Sequence, residues 1–392
     1  MKRVSVLFAA LAWTLCVSAA AQTPNPVLQH YRAYQAAIER DDLAAAEQSA
    51  AAALAASEVR DGDGGHTAVL ALNLASVRLL RGDAAGARQP ARRSYVLAQA
   101  NPNLGVNPAL AALVLARVQV ANGEAIGIDN LASALTAAQR ADVDQSEIFD
   151  AAVVLGHAAF ARGHFPTSRD AWRVAAAHAE GARFPAAFAE ANARTGQAAA
   201  LLMEDVRASN RRRDRNLDED VAREAYLMFN SSVQQLRALA EAEAPGGEIT
   251  YAQRAFGEAL AWRAVLRAKM RSDDQDVPVT EAEGDGSVEV DIAATDAARP
   301  RCSLQRDQFR MPRYPVGALE DGNLAGLAVR LRLNGQGQVV EARTIARIGQ
   351  ESFAASVERA AAHWSFSAHE NSPPNCRMEM TVIMPVSFSI GS

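Results

Sequence analysis

Four short polar turns divide the alanine-rich part of this chain at nearly equal intervals: Asp41-Asp42, Gly82-Asp83, Gly123-Glu124 and Gly163-His164. Their second residues stand 41, 41 and 40 positions apart. A fixed period of this length means stacked helical hairpins, because one hairpin buries too little apolar surface alone and must lean on its neighbours. Small residues at the packing positions of each second helix let paired helices approach: Ala46 and Ala50, Ala87 and Ala91, Ile128 and Ala132. Asp61-Gly62-Asp63-Gly64-Gly65 and Asn101-Pro102-Asn103-Leu104-Gly105 read as loops between hairpins. A fifth, irregular unit has long helices over 186–205 and 217–244, separated by Arg211-Arg212-Arg213-Asp214-Arg215, and a terminal helix over 249–271.

In the fourth hairpin, Leu155-Gly156 precedes Gly163, and Phe165, Ser168 and Trp172 follow it. This pattern resembles a tetratricopeptide repeat, with Trp172 filling the gap that small residues leave. The period exceeds the 34 residues of that family and most of its aromatic positions are missing, so HEAT-like hairpins stand as the alternative repeat type. Either type implies a solenoid with a curved surface for partners.

A different grammar begins near residue 312. Leu327, Val329, Leu331 and Leu333 alternate with Ala328, Arg330 and Arg332, the period-two signature of a half-buried strand. Asn334-Gly335 tolerates positive φ and predicts a hairpin returning over 338–345. Phe353, Val357, Ala360 and Ala361 share one side of a helix over 352–363, which should cover the Val329 and Leu331 face; Trp364 and Phe366 read as core. A last strand over 378–388 closes the unit. Its Pro385 cannot donate to a ladder and therefore belongs on an edge strand.

In order, Tyr314-Pro315, Gly322-Asn323-Leu324-Ala325-Gly326, the alternating strand, Asn334-Gly335-Gln336-Gly337 and Trp364-Ser365-Phe366 resemble the TonB C-terminal domain family over about residues 312–390. The resemblance implies a small α+β module that binds other envelope proteins, outer-membrane receptors among them, through strand addition at the last strand. Carried onto this chain, the docking edge comprises Thr381, Ile383, Pro385 and Ser387. A protected edge is the competing reading of the same proline.

Met1-Lys2-Arg3, an apolar run over 6–17 and Ala19-Ala20-Ala21 before Gln22 form a secretory signal with cleavage between Ala21 and Gln22. The alternative is a retained inner-membrane anchor facing the periplasm. In an oxidising compartment the two remaining cysteines, Cys302 and Cys376, should pair. Residues 272–298 hold nine acidic and no basic side chains and read as a self-repelling linker; the alternative at 288–292 is a short strand appended to the following sheet.

The fold expectation is an all-α, TPR-like helical-repeat solenoid followed by a small α+β TonB C-terminal-like domain. Its segments are a signal peptide (1–21), repeats (22–271), an acidic linker (272–300) and the module (301–392). A net charge of −5 with 22% charged residues leaves no nucleic-acid footprint. No zinc pair, nucleophile elbow or phosphate loop occurs, so no catalytic residue, metal or cofactor is assigned. Asp61-Gly62-Asp63-Gly64 opens like a calcium loop, but Leu72 stands where the bidentate Glu belongs. His157 and His164 are separated by Gly163. The functional expectation is a periplasmic adaptor binding envelope proteins. Its alternatives are a membrane-anchored TonB-type energy transducer and an enzyme with a dispersed site.

Overall fold

The computed structural model describes residues 25–101, 105–212, 216–242, 250–273, 275, 300–315 and 325–388. The signal segment with Ala21 and Gln22, the Arg213–Arg215 part of the arginine run, Gly322–Leu324 and the 288–292 strand lie outside the described residues. The chain forms two compact units, Met1–Pro185 and Ala186–Ser392. Among the described residues no helix is long and apolar enough to cross a membrane.

The first unit contains α1 (Pro26–Glu39), α2 (Leu43–Asp61), α3 (Gly65–Leu80), α4 (Ala84–Ala100), α5 (Pro108–Ala121), α6 (Gly127–Arg140), α7 (Gln145–Ala161) and α8 (Phe165–Ala177). Each of the four periodic turns joins an odd-numbered helix to the next, so the helices pair as α1–α2, α3–α4, α5–α6 and α7–α8, and each pair packs on its successor. Asp41, Gly82, Gly123 and Gly163 take the left-handed conformation, at φ 58°, 79°, 73° and 73°. That conformation ends the first helix of each pair. Asp42 and Asp83 then cap the N-termini of α2 and α4, accepting from the Ala45 and Gly86 amides. Ala46, Ala50, Ala87 and Ala91 are buried to 1% exposure or less. In α6 the packing residues are Ile128, Leu131 and Leu135, and Ala132 is only half-buried; the expected alanine gives way to the next residues on the buried stripe.

Gly156 shows why a small residue stands there. A Cβ on it would lie 2.6 Å from the Trp172 ring, and the Ser168 hydroxyl donates to the Gly156 carbonyl at 2.8 Å. Gly156→Ala is therefore expected to cost about 1–3 kcal/mol through overpacking, read as a lower urea midpoint at unchanged slope. Ion pairs join successive hairpins: Arg78 to Glu47 at 2.9 Å and Arg117 to Glu147 at 2.8 Å. The hydrogen bond from Arg78 holds the Glu47 carboxyl below its usual range. A depressed carboxyl contributes stability above its unfolded pKa and loses it as pH falls through the folded value. Amide protection factors in α2 and α3, taken relative to the intrinsic exchange rate at each pH, should thus fall in acid, and Glu47→Gln should flatten that pH dependence.

The second unit begins with three helices, α9 (Ala186–Arg212), α10 (Glu219–Ala242) and α11 (Tyr251–Ser272). There follow β1 (Leu304–Gln308), β2 (Ala325–Leu333), β3 (Val339–Ile348), α12 (Glu351–Ala361), β4 (Ser365–Ala368) and β5 (Met380–Phe388). Strands β3, β2 and β5 form one antiparallel sheet in that order, and β1 pairs with β4. The β2–β3 hairpin forms where expected, although the left-handed residue is Gly337 (φ 73°) rather than Gly335. Asn334 acts through its side chain, accepting from the Gln336 and Gln338 amides.

One face of the sheet carries Leu327, Val329, Leu331, Val382 and Met384 against Phe353, Val357 and Trp364 of the α12 layer. The Trp364 indole stacks on Phe309 at 4.3 Å and donates to the Arg310 carbonyl at 2.8 Å. The other face departs from the sequence expectation, which placed α11 with the repeats and left the sheet on a tether. Helix α11 lies on that face, with Phe256, Ala259 and Leu260 packed on Ala328 and Ile383. Small residues make the approach close: a Cβ on Gly326 would stand 2.4 Å from the Ala261 carbonyl oxygen. The module is thus three layers deep, and it lies in the compact unit that begins at Ala186.

The start of the acidic stretch is also held in place. The Asp273 carboxylate accepts from the Leu217 amide at 3.0 Å, and the Gln275 side chain donates to the Leu217 carbonyl at 2.6 Å. Cys302 and Cys376 form the expected disulfide, with Cα atoms 4.9 Å apart. Two backbone bonds flank it: Cys302 N–H to the Arg377 carbonyl at 3.1 Å and Arg377 N–H to the Pro300 carbonyl at 2.9 Å. The bridge therefore ties the lead-in of β1 to the segment just before β5.

Candidate functional site: the edges of the sheet

A sheet offers a partner its unpaired backbone, so the two outer strands decide what this module can bind. Among the described residues strand β5 has β2 as its one neighbour in the sheet, in agreement with Pro385. Opposed residues in an antiparallel pair alternate between exchanging hydrogen bonds and exchanging none. Pro385 lies opposite Ala328 and has no N–H to exchange. The backbones of Thr381, Ile383, Pro385 and Ser387 therefore turn away from β2.

That outward side is closed over half its length. Met380, Thr381, Val382, Ile383 and Met384 are 0–2% exposed, less than an uncovered edge backbone would allow. The Ile383 side chain lies in the cluster with Phe256 and Leu236. Of the four residues expected to meet a partner, Thr381 and Ile383 are thus buried, Pro385 is half-buried and only Ser387 is exposed. For Ile383 the cover is the α11 layer, which occupies the face that alternation alone leaves to solvent.

Among the described residues strand β3 is the open edge. Glu341, Arg343 and Arg347 are exposed and Val340 is 51% exposed. With Ala328 facing β3 rather than β5, the same alternation pairs Ala346, Arg343 and Glu341 with β2 and turns the backbones of Ala342, Thr344 and Arg347 outward. The Thr344 amide bears this out, donating to the Glu358 carboxylate of α12 at 2.7 Å instead of to a strand. Bulges interrupt the β2–β3 register near Ile345 and Val340. Beside this edge, β3 and α12 bound a groove of about 370 Å³ whose strand wall includes Thr344, Ala346 and Arg347. Its helix wall includes Glu351, Ala355 and Glu358.

The sequence does carry a signal for this edge. Exposed charges within a strand are how edges resist accidental pairing, and Glu341, Arg343 and Arg347 all lie in β3. Elsewhere, His157 lies edge-on to Trp172 at 4.7 Å and His164 precedes the first turn of α8. Asp61 pairs with Arg60 at 2.6 Å and accepts from Ser57, so that acidic turn is occupied by its own neighbours. No protein-family model matches the chain, and no curated protein matches it.

Proposed function

We propose that this chain is an exported, non-enzymatic binding protein of the cell envelope, in which stacked hairpins form a TPR-like solenoid that holds one partner. The TonB-like module then takes an extended segment of a second envelope protein by strand addition. The single observation that carries the reading is the outward backbone of Ala342, Thr344 and Arg347 beside a groove. Main-chain hydrogen bonds supply affinity in such docking, and flanking pockets supply selectivity. The disulfide supports export, since such bonds persist in oxidising compartments. In this reading the addition site is β3 rather than the last strand.

The test is site-specific photocrosslinking in the producing cell. A photoreactive residue at Val340 or Arg343 should capture envelope proteins, and one at Ser387 should not. Ala342→Pro removes an N–H that the sheet's own ladder leaves unused; it should abolish capture while the unfolding midpoint stays close to that of the parent. Capture from Ser387 alone, or capture indifferent to Ala342→Pro in a folded variant, would overturn the reading.

A further inference from the structure

Resting on that reading, we infer that the β3–α12 groove selects an extended segment bearing a basic side chain, and that Glu358 exchanges partners when it binds. The helix wall presents Glu351, Ala355 and Glu358, spaced by four and three residues and so aligned along one stripe. Two carboxylates therefore flank a small apolar floor. Among the described residues the Glu351 carboxylate is in no ion pair, and Arg347 is the single cation lining the groove. The walls thus carry an excess of negative charge and favour a lysine or arginine lying over Ala355.

The second observation concerns Thr344. Its amide is held by Glu358, whose oxygen sits where the carbonyl of an added strand would sit. Its hydroxyl is buried and has no hydrogen-bond partner, a costly arrangement for a groove that stays empty. An incoming strand supplies a carbonyl to the Thr344 amide. That frees Glu358 to turn toward the segment's cation, so the guard of the edge becomes part of the recognition.

A second copy of this chain is a poor occupant. The bulge near Ile345 puts Glu341 and Arg347 on opposite faces of the strand. Two copies of β3 paired antiparallel about Thr344 would therefore not bring these opposite charges together.

The experiment is selection of a phage-displayed random heptapeptide library on the intact oxidised protein, with each enriched peptide re-measured on two variants. The first is Ala342→Pro, which reports strand addition. The second is Glu351→Gln combined with Glu358→Gln, which keeps the acceptor for Thr344 and removes both charges. The inference predicts enrichment of lysine or arginine near the peptide centre, binding abolished by Ala342→Pro, and binding weakened about three- to fivefold by the double glutamine variant. Peptides that need Ala342 but lack a basic residue and ignore the glutamines would overturn this inference and leave strand addition standing. Peptides indifferent to Ala342 in a folded variant, or no enrichment at all, would overturn both.

Discussion

Reducing the Cys302–Cys376 disulfide is expected to lower the stability of the second unit by roughly 4.5 kcal/mol, the chain-entropy value for a cross-link spanning 74 residues of separation. The loop it closes contains β1, β2, β3, α12 and β4, so most of the small module is wound inside one covalent ring. In a unit of this length the loss corresponds to a thermal midpoint lower by about 10–15 °C. Cys302→Ser and Cys376→Ser should behave alike, because either leaves the same open loop. Calorimetry of oxidised, reduced and serine forms checks the expectation. Equal midpoints for oxidised and reduced protein would mean that noncovalent packing alone closes the ring.

The other large effect is expected at Phe256. This ring is fully buried and belongs to the cluster that joins α10 and α11 to Ala328 and Ile383. Truncation to alanine should cost about 3–5 kcal/mol, the range for buried aromatic residues. The diagnostic feature is where the loss is felt. If α11 is a layer of the module, Phe256→Ala accelerates amide exchange in β2 and β5 as well as in α11. Tyr251→Ala, at a position 73% exposed on the same helix, should leave those amides unchanged. A helix belonging only to the repeats would confine the effect of Phe256→Ala to α9, α10 and α11.

Much of this architecture is legible from local pattern. The turn residues at 41, 82, 123 and 163 mark all four hairpins because a left-handed position needs Gly or a permissive Asp whatever packs around it. The alternation over 327–333 gives β2 for the same reason, and Trp364 identifies itself as core by sitting between a helix and a strand. The cover on the second sheet face is not legible. It is built from Gly257, Ala261, Gly326 and Ala328, residues whose value lies in being small and which add little to any hydrophobic pattern. Arg330 and Arg332 on that face argue for solvent, and they do lie beyond the fully buried part of the strand. Half a face was therefore read as the whole. The burial of Ile383 was not legible for the same reason: Pro385 reports that β5 is outermost among the described strands, but whether an outermost strand is open depends on what else folds over it.

The most direct test is residue-resolved amide hydrogen exchange on the intact oxidised protein, comparing the outward amides of the two outer strands. The account predicts fast exchange at Ala342 and Arg347 and strong protection at Thr381 and Ile383. Protection at Ala342 and Arg347 together with fast exchange at Thr381 and Ile383 would contradict it and return the docking edge to the last strand.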